Sequence, residues 1–157
     1  MTRLIPTILL TLAFALAVAA QSKDESAIRK MMDDQAAAWN RGDIDGFMSG
    51  YWRSDKLEFV SGATVTRGWQ ATLDRYKKSY DTREKMGTLS FSDVEFTRIS
   101  KDAAFITMSW SLQRAKDNPH GKSTLLLRKF KEGWRIVVDH SDRKSTRLNS
   151  SHTDISR

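Results

Sequence analysis

His140 is the side chain whose type best suits proton transfer near neutral pH, because an imidazole titrates there. In Trp134-Arg135-Ile136-Val137-Val138-Asp139-His140 it shares strand parity with Trp134, Ile136 and Val138. Regular alternation therefore points it toward the core, as a candidate catalytic base. The competing reading is a histidine satisfied by a backbone carbonyl at a strand end. Asp139 faces the other way on this alternation, so an orienting partner must come from a helix, either Asp34 or Gln35. Gln35 is itself the one polar member of an apolar helical stripe. Arg128 lies between Leu126 and Phe130 on one strand face. If that face is concave, Arg128 can hold an anionic ligand; if convex, it is a solvent or interface residue.

Trp39, Tyr51, Trp52, Phe59, Trp69, Tyr76 and Trp110 form a large aromatic set for a chain of 157 residues. Helical and strand spacing accounts for most of them as core. They are also the candidates to line an apolar pocket that binds a small molecule, with Trp52 and Trp69, beside loops, at its mouth. Other chemistries lack their residues. Cysteine is absent, and His120 sits in a loop without a spaced partner, so neither a metal site nor a cofactor is expected. There is no serine nucleophile elbow, phosphate-cradling glycine loop or dinucleotide fingerprint.

These residues belong to a domain flanked by two unlike ends. Residues 1–20 read as a signal peptide: Arg3 supplies the positive start, Ile8 to Val18 the apolar stretch, and Ala17-Val18-Ala19-Ala20 the small residues for cleavage. A periplasmic or secreted domain comes next, with no membrane contact after cleavage. Without cysteine its stability must come from the core. Residues 142–157 are polar and basic with no apolar period, and resemble a translated sequencing-adapter read-through; the alternative is a genuine disordered tail. Removing Arg3 and the tail's four basic and two acidic residues lowers the formal charge from +7 to +4. That is an ordinary mixed surface, and no nucleic-acid partner is expected.

Within residues 21–141, Ser22-Lys23-Asp24-Glu25 has capping-box spacing and predicts a helix start. Ile28, Met32, Gln35, Ala36 and Trp39 then recur at helical intervals. Gly42 and Asp43 predict a reversal into a second helix carrying Ile44, Phe47, Met48 and Tyr51. A short hairpin over 57–66 precedes a third helix, from Trp69 to a stop at Gly87, with Trp69, Leu73, Tyr76 and Tyr80 on one face. Four long strands complete the chain. In the first, apolar parity switches at Ser92-Asp93, predicting a β-bulge. Helices succeeded by strands make an α+β architecture: a cone-like curved antiparallel sheet with about three helices over its concave face.

The corner Ala38-Trp39-Asn40-Arg41-Gly42-Asp43-Ile44-Asp45-Gly46-Phe47 resembles that of the nuclear transport factor 2-like superfamily, which includes SnoaL-like cyclases and ketosteroid isomerases. Tyr51-Trp52, Phe59-Val60-Ser61-Gly62, Thr66-Arg67-Gly68-Trp69 and Gly133-Trp134-Arg135-Ile136-Val137-Val138-Asp139-His140-Ser141 are similar to an exported SnoaL-like branch related to the calmodulin-dependent kinase association domain. The resemblance implies the cone fold over about residues 24–141. It does not carry ketosteroid-isomerase chemistry, because the base, tyrosine and second-acid positions fall near Val60, at Gln35 and near Leu126. Three functions remain: small-molecule binding in the aromatic pocket, an oligomerisation module, or an isomerase- or hydrolase-like enzyme using His140. A homodimer through the sheet face carrying Thr107, Ser109, Ser111 and Gln113 is the expected assembly.

Overall fold

Gly42 adopts a φ of +88°, which a Cβ would oppose, and lets the chain leave its first helix in a tight turn. Gly42 N–H donates to Trp39 O and Asp43 N–H to Ala38 O, satisfying carbonyls at the helix end. The Asp43 carboxylate accepts from Gly46 N–H at 2.7 Å, starting the next helix. That contact, with Arg41 beside it, holds the Asp43 carboxyl below its usual range. Arg83 reaches back to the same corner, donating to Trp39 O and Asn40 O, each at 2.9 Å.

The computed structural model describes the backbone of residues 5–143 and the side chains of residues 23–143. In chain order the helices are α1 (Ile5–Asn40), α2 (Ile44–Met48), α3 (Trp69–Ser79) and α4 (Arg83–Met86). The strands are β1 (Glu58–Ser61), β2 (Thr64–Arg67), β3 (Thr88–Arg98), β4 (Ala103–Gln113), β5 (His120–Phe130) and β6 (Gly133–Arg143). One sheet runs β2-β1-β6-β5-β4-β3. Every neighbouring pair is antiparallel except β1 and β6, which run parallel, so the sheet is mixed. Gly50 to Trp52 continues alongside β6: Ile136 N–H donates to Gly50 O and Trp52 N–H to Ile136 O. This sets Tyr51 beside the sheet.

Several expected boundaries shift. Helix α1 runs straight through Ser22, so Ser22 is not an N-cap; the leucine- and alanine-rich stretch before Ser22 favours helix as strongly as the segment after it. The third helix is divided after Ser79, and Thr82 caps a separate short turn by accepting from Lys85 N–H. Strands β5 and β6 extend beyond the expected hairpin because His120 pairs with Ser111 and Gly121 with Arg143. Asp142 and Arg143 are thus strand residues of the domain, while 144–157 lie outside the described residues. Gly121 allows this closure: a Cβ there would meet Asp142 O.

The core lies between α1, α2 and the sheet. Ile28, Met32, Ala38 and Trp39 of α1 pack with Ala104, Ile106 and Met108 of β4 and Leu125 and Leu127 of β5. Two polar residues share the α1 face, Asp24 and Gln35. Asp24 accepts from Lys129 Nζ at 2.7 Å and Trp134 Nε1 at 3.2 Å, with Arg98 Nη2 at 3.3 Å. Burial alone would raise its carboxyl; the Lys129 and Trp134 hydrogen bonds and the Lys129 and Arg98 charges bring it below the usual range.

Two irregularities turn the sheet. The expected bulge in β3 falls between Ser92 and Glu95, with Asp93 at a φ of 51°. A second bulge lies where β6 passes β5: Leu126 pairs with Val138 but Leu127 with Ile136, leaving Val137 as an extra residue. One extra residue reverses the facing of everything after it.

Candidate functional site

A cavity of about 270 Å³ opens between the helices and the inner face of the sheet. Its helical wall carries Gln35 and Trp39 from α1, Phe47 from α2, and Arg75, Tyr76 and Ser79 from α3. The opposite wall is Phe91, Met108, Trp110 and Leu125, alternating inward along β3 to β5. Tyr76 sits at the centre of the ring cluster, 5.2 Å from Phe47 and 5.5 Å from Phe59 between centroids. Trp39 meets Phe47 edge-on at 5.1 Å. Trp110 also lines this space, and its buried Nε1 has no hydrogen-bond partner among the described residues. An N–H of this kind is a donor free to meet a ligand group.

The polar centre of the cavity is Asp139, 3% exposed. Tyr51 Oη donates to its Oδ2 at 2.7 Å and Ser141 Oγ to its Oδ1 at 2.5 Å. Ser123 Oγ lies 2.6 Å from Ser141 Oγ, so four side chains form one hydrogen-bonded chain across β5, β6 and the Tyr51 segment. No cation among the described residues is within ion-pair distance of Asp139. Burial pushes its carboxyl above the usual range; the hydrogen bonds from Ser141 and Tyr51 and the His140 charge oppose that without cancelling it. Burial, reinforced by the Asp139 charge, raises the Tyr51 and Tyr76 hydroxyls well above the usual phenol value, so both remain donors near neutral pH. A protonatable carboxyl among neutral hydroxyls can accept from, donate to or exchange a proton with a ligand group.

The bulge at Val137 decides which side chain occupies this place. Trp134 and Ile136 face inward before it, and Asp139 and Ser141 after it. His140 consequently points out of the sheet and is exposed, outside the cavity, where regular alternation would have placed it within. Of the expected pocket residues, Gln35, Trp39, Tyr51, Phe59, Tyr76 and Trp110 all line the cavity. Gln35 is spent on structure, donating to Phe47 O at 2.9 Å. Arg128 is on the outer face, 3.5 Å from Asp102. Trp52 stacks on Phe130 at 5.4 Å, and Trp69 donates to Met48 O at 3.0 Å beneath the Arg53 guanidinium; neither lines the cavity. Regular periodicity in the sequence does not single out Asp139, Ser141, Ser123 or Arg75, which also line the cavity. The one available signal was Ile136-Val137-Val138, three consecutive apolar residues that a regular half-exposed strand would not carry. Among the described residues there is no cluster of three or more potential metal ligands, and no helix is long and apolar enough to cross a membrane.

A bent six-stranded sheet wrapped on helices around an internal cavity defines the nuclear transport factor 2-like class. Within it, the chain belongs to the SnoaL-like domain family, whose model matches residues 28–141. It is similar to a nuclear transport factor 2-like protein of unknown function from Shewanella oneidensis, with 39% identity over 75% of this chain and 98% of that one, at a TM-score of 0.72. More distant likenesses show the fold alone. A candidate scytalone dehydratase from Novosphingobium aromaticivorans is 11% identical, with 82% of this chain and 89% of that one covered at a TM-score of 0.69. A candidate calcium/calmodulin-dependent protein kinase type II association domain from Thiobacillus denitrificans is 19% identical, with 73% and 93% covered at 0.63. No curated protein matches the chain.

Proposed function

We propose that this SnoaL-like domain is exported and binds a small, partly apolar molecule in its aromatic cavity, with Asp139 and Tyr51 meeting a hydroxyl or carbonyl at the inner end. The observation that carries this reading is Asp139 itself. A carboxyl with no partner cation costs stability when buried, yet here it is held by Tyr51 and Ser141 in the wall of a cavity. The unpartnered Trp110 Nε1 supplies a second group for a ligand to satisfy. If the ligand is turned over, Asp139 is the group placed to move its proton; His140 is not.

Native mass spectrometry of protein recovered from an exporting host tests the reading. The wild type should carry an additional small mass after gentle ionisation, and Asp139→Asn should lose most of it while remaining folded by circular dichroism. An unliganded wild type that also fails to bind hydroxylated aromatic compounds would sink the proposal.

Self-association is a second reading. The outer sheet face, where Thr107, Ser109 and Ser111 are half-buried in the monomer, suits pairing with a second copy. The likeness to a candidate association domain supports it.

A further inference from the structure

The open end of the cavity has a different chemistry from its depth. There, Ser61, Arg75, Ser79 and Arg143 line the wall, and all are partly or fully exposed. We propose that the cavity takes an amphipathic anion: an aromatic body seated among Trp39, Tyr76 and Trp110, with a carboxylate held at the mouth by Arg75 and Arg143. This rests on the cavity being a ligand site and adds the ligand's charge and its orientation.

Arg75 leaves α3 toward the cavity and is half-buried. Its Nη1 donates to Thr66 Oγ1 at 2.8 Å, and its Cζ lies 5.0 Å from the Phe59 ring centre. These contacts hold one edge and one face of the guanidinium. Neither is a carboxylate, and no acid among the described residues pairs with it. The contrast with Arg67 on the nearby hairpin is direct, since that side chain donates to Glu58 at 3.0 Å. Arg143 reaches the mouth from the end of β6, and its one ion pair among the described residues, to Asp117, is long at 3.6 Å and exposed. Both guanidinium groups therefore keep donors for an oxyanion, whose planar geometry they match.

Orientation is set by charge. Both guanidinium groups lie at the mouth and none among the described residues lies at depth beside Asp139, so the charged end stays at the mouth and the neutral end enters. Asp139 and Arg143 are four residues apart on one strand, about 13 Å at the usual strand rise. That span suits a single-ring or two-ring molecule carrying a hydroxyl at one end and a carboxylate at the other.

Calorimetric titration of the protein, expressed from its full sequence, with 3-(4-hydroxyphenyl)propionate and with the corresponding neutral amide tests this. The carboxylate should bind about tenfold more tightly than the amide. That preference should shrink in roughly 0.5 M salt. Arg75→Gln should abolish the preference by weakening the carboxylate far more than the amide. Arg143→Gln, which alters an exposed side chain, should reduce it in part and serves where Arg75→Gln does not fold. Equal affinities for acid and amide, or a preference untouched by either variant, would overturn the anion assignment and leave the cavity as a site for neutral ligands. Binding of neither probe would overturn both readings.

Discussion

A carboxyl held above its ordinary range in the folded state keeps its proton to higher pH there than in the unfolded chain. Between those two values the folded state binds more protons, so stability falls as pH rises. Asp139 is in this position, since burial raises it. Chemical denaturation of the wild type and of Asp139→Asn from about pH 4 to pH 7 should therefore show the wild type losing stability relative to the variant as pH increases. A flat difference would mean that the carboxyl is solvated through the cavity mouth. His140→Ala is the adjacent control: an exposed residue there should alter stability by less than about 0.5 kcal/mol and leave ligand binding unchanged. Six cavity residues were legible in the sequence because their periodicity is regular: Gln35 and Trp39 on α1, Tyr51 beyond α2, Phe59 on β1, Tyr76 on α3 and Trp110 on β4. Asp139 was not, because alternation counted from Trp134 crosses the unpaired Val137. Arg128 was undecidable for another reason. Leu125, Leu126 and Leu127 are all apolar, so both faces of β5 look internal, whereas only Leu125 and Leu127 are buried.

At the level of elements, α1 is tied to the sheet at both ends of its described stripe. Near Asn40 the tie is polar and backbone-like: the Asn40 amide donates to Leu89 O and accepts from Leu89 N–H, standing in for a neighbouring strand. At the other end it is Asp24, with Lys129, Trp134 and Arg98. Asp24→Asn should cost about 2 kcal/mol, less than a fully buried ion pair because the Lys129 side chain is 46% exposed. The carboxylate's contribution is present above its unfolded value and lost as pH falls through its lowered folded value. Denaturant melts of the two proteins should therefore converge only in strong acid. A variant as stable as the wild type at pH 7 would show that apolar packing alone fixes α1. The capping box around Ser22 was the misleading signal here, because Asp24 and Glu25 serve the sheet and Arg29 rather than a helix start.

Across the whole molecule, α1 and the four long strands were legible in order and kind because their amphipathic periods of 3.6 and 2 run over many residues, whereas the break between α3 and α4 was not. The parallel junction of β1 with β6 was not, since pairing between strands distant in sequence leaves no local pattern. If the outer sheet face pairs two copies, Thr107→Arg on that face should shift a dimer toward monomer in sedimentation velocity while the cavity keeps its ligand. An unchanged sedimentation coefficient would place any assembly elsewhere. The bulge at Val137 has a wider consequence for reading relatives by alignment. A single residue inserted or deleted before Asp139 in β6 exchanges an acid for an imidazole at the cavity wall, and turns Ser141 and Arg143 away with it. Two homologues can thus keep Asp-His in register on paper and present opposite functional groups to the same ligand. In this strand, identity at a position is no guide to chemistry until the gap has been placed.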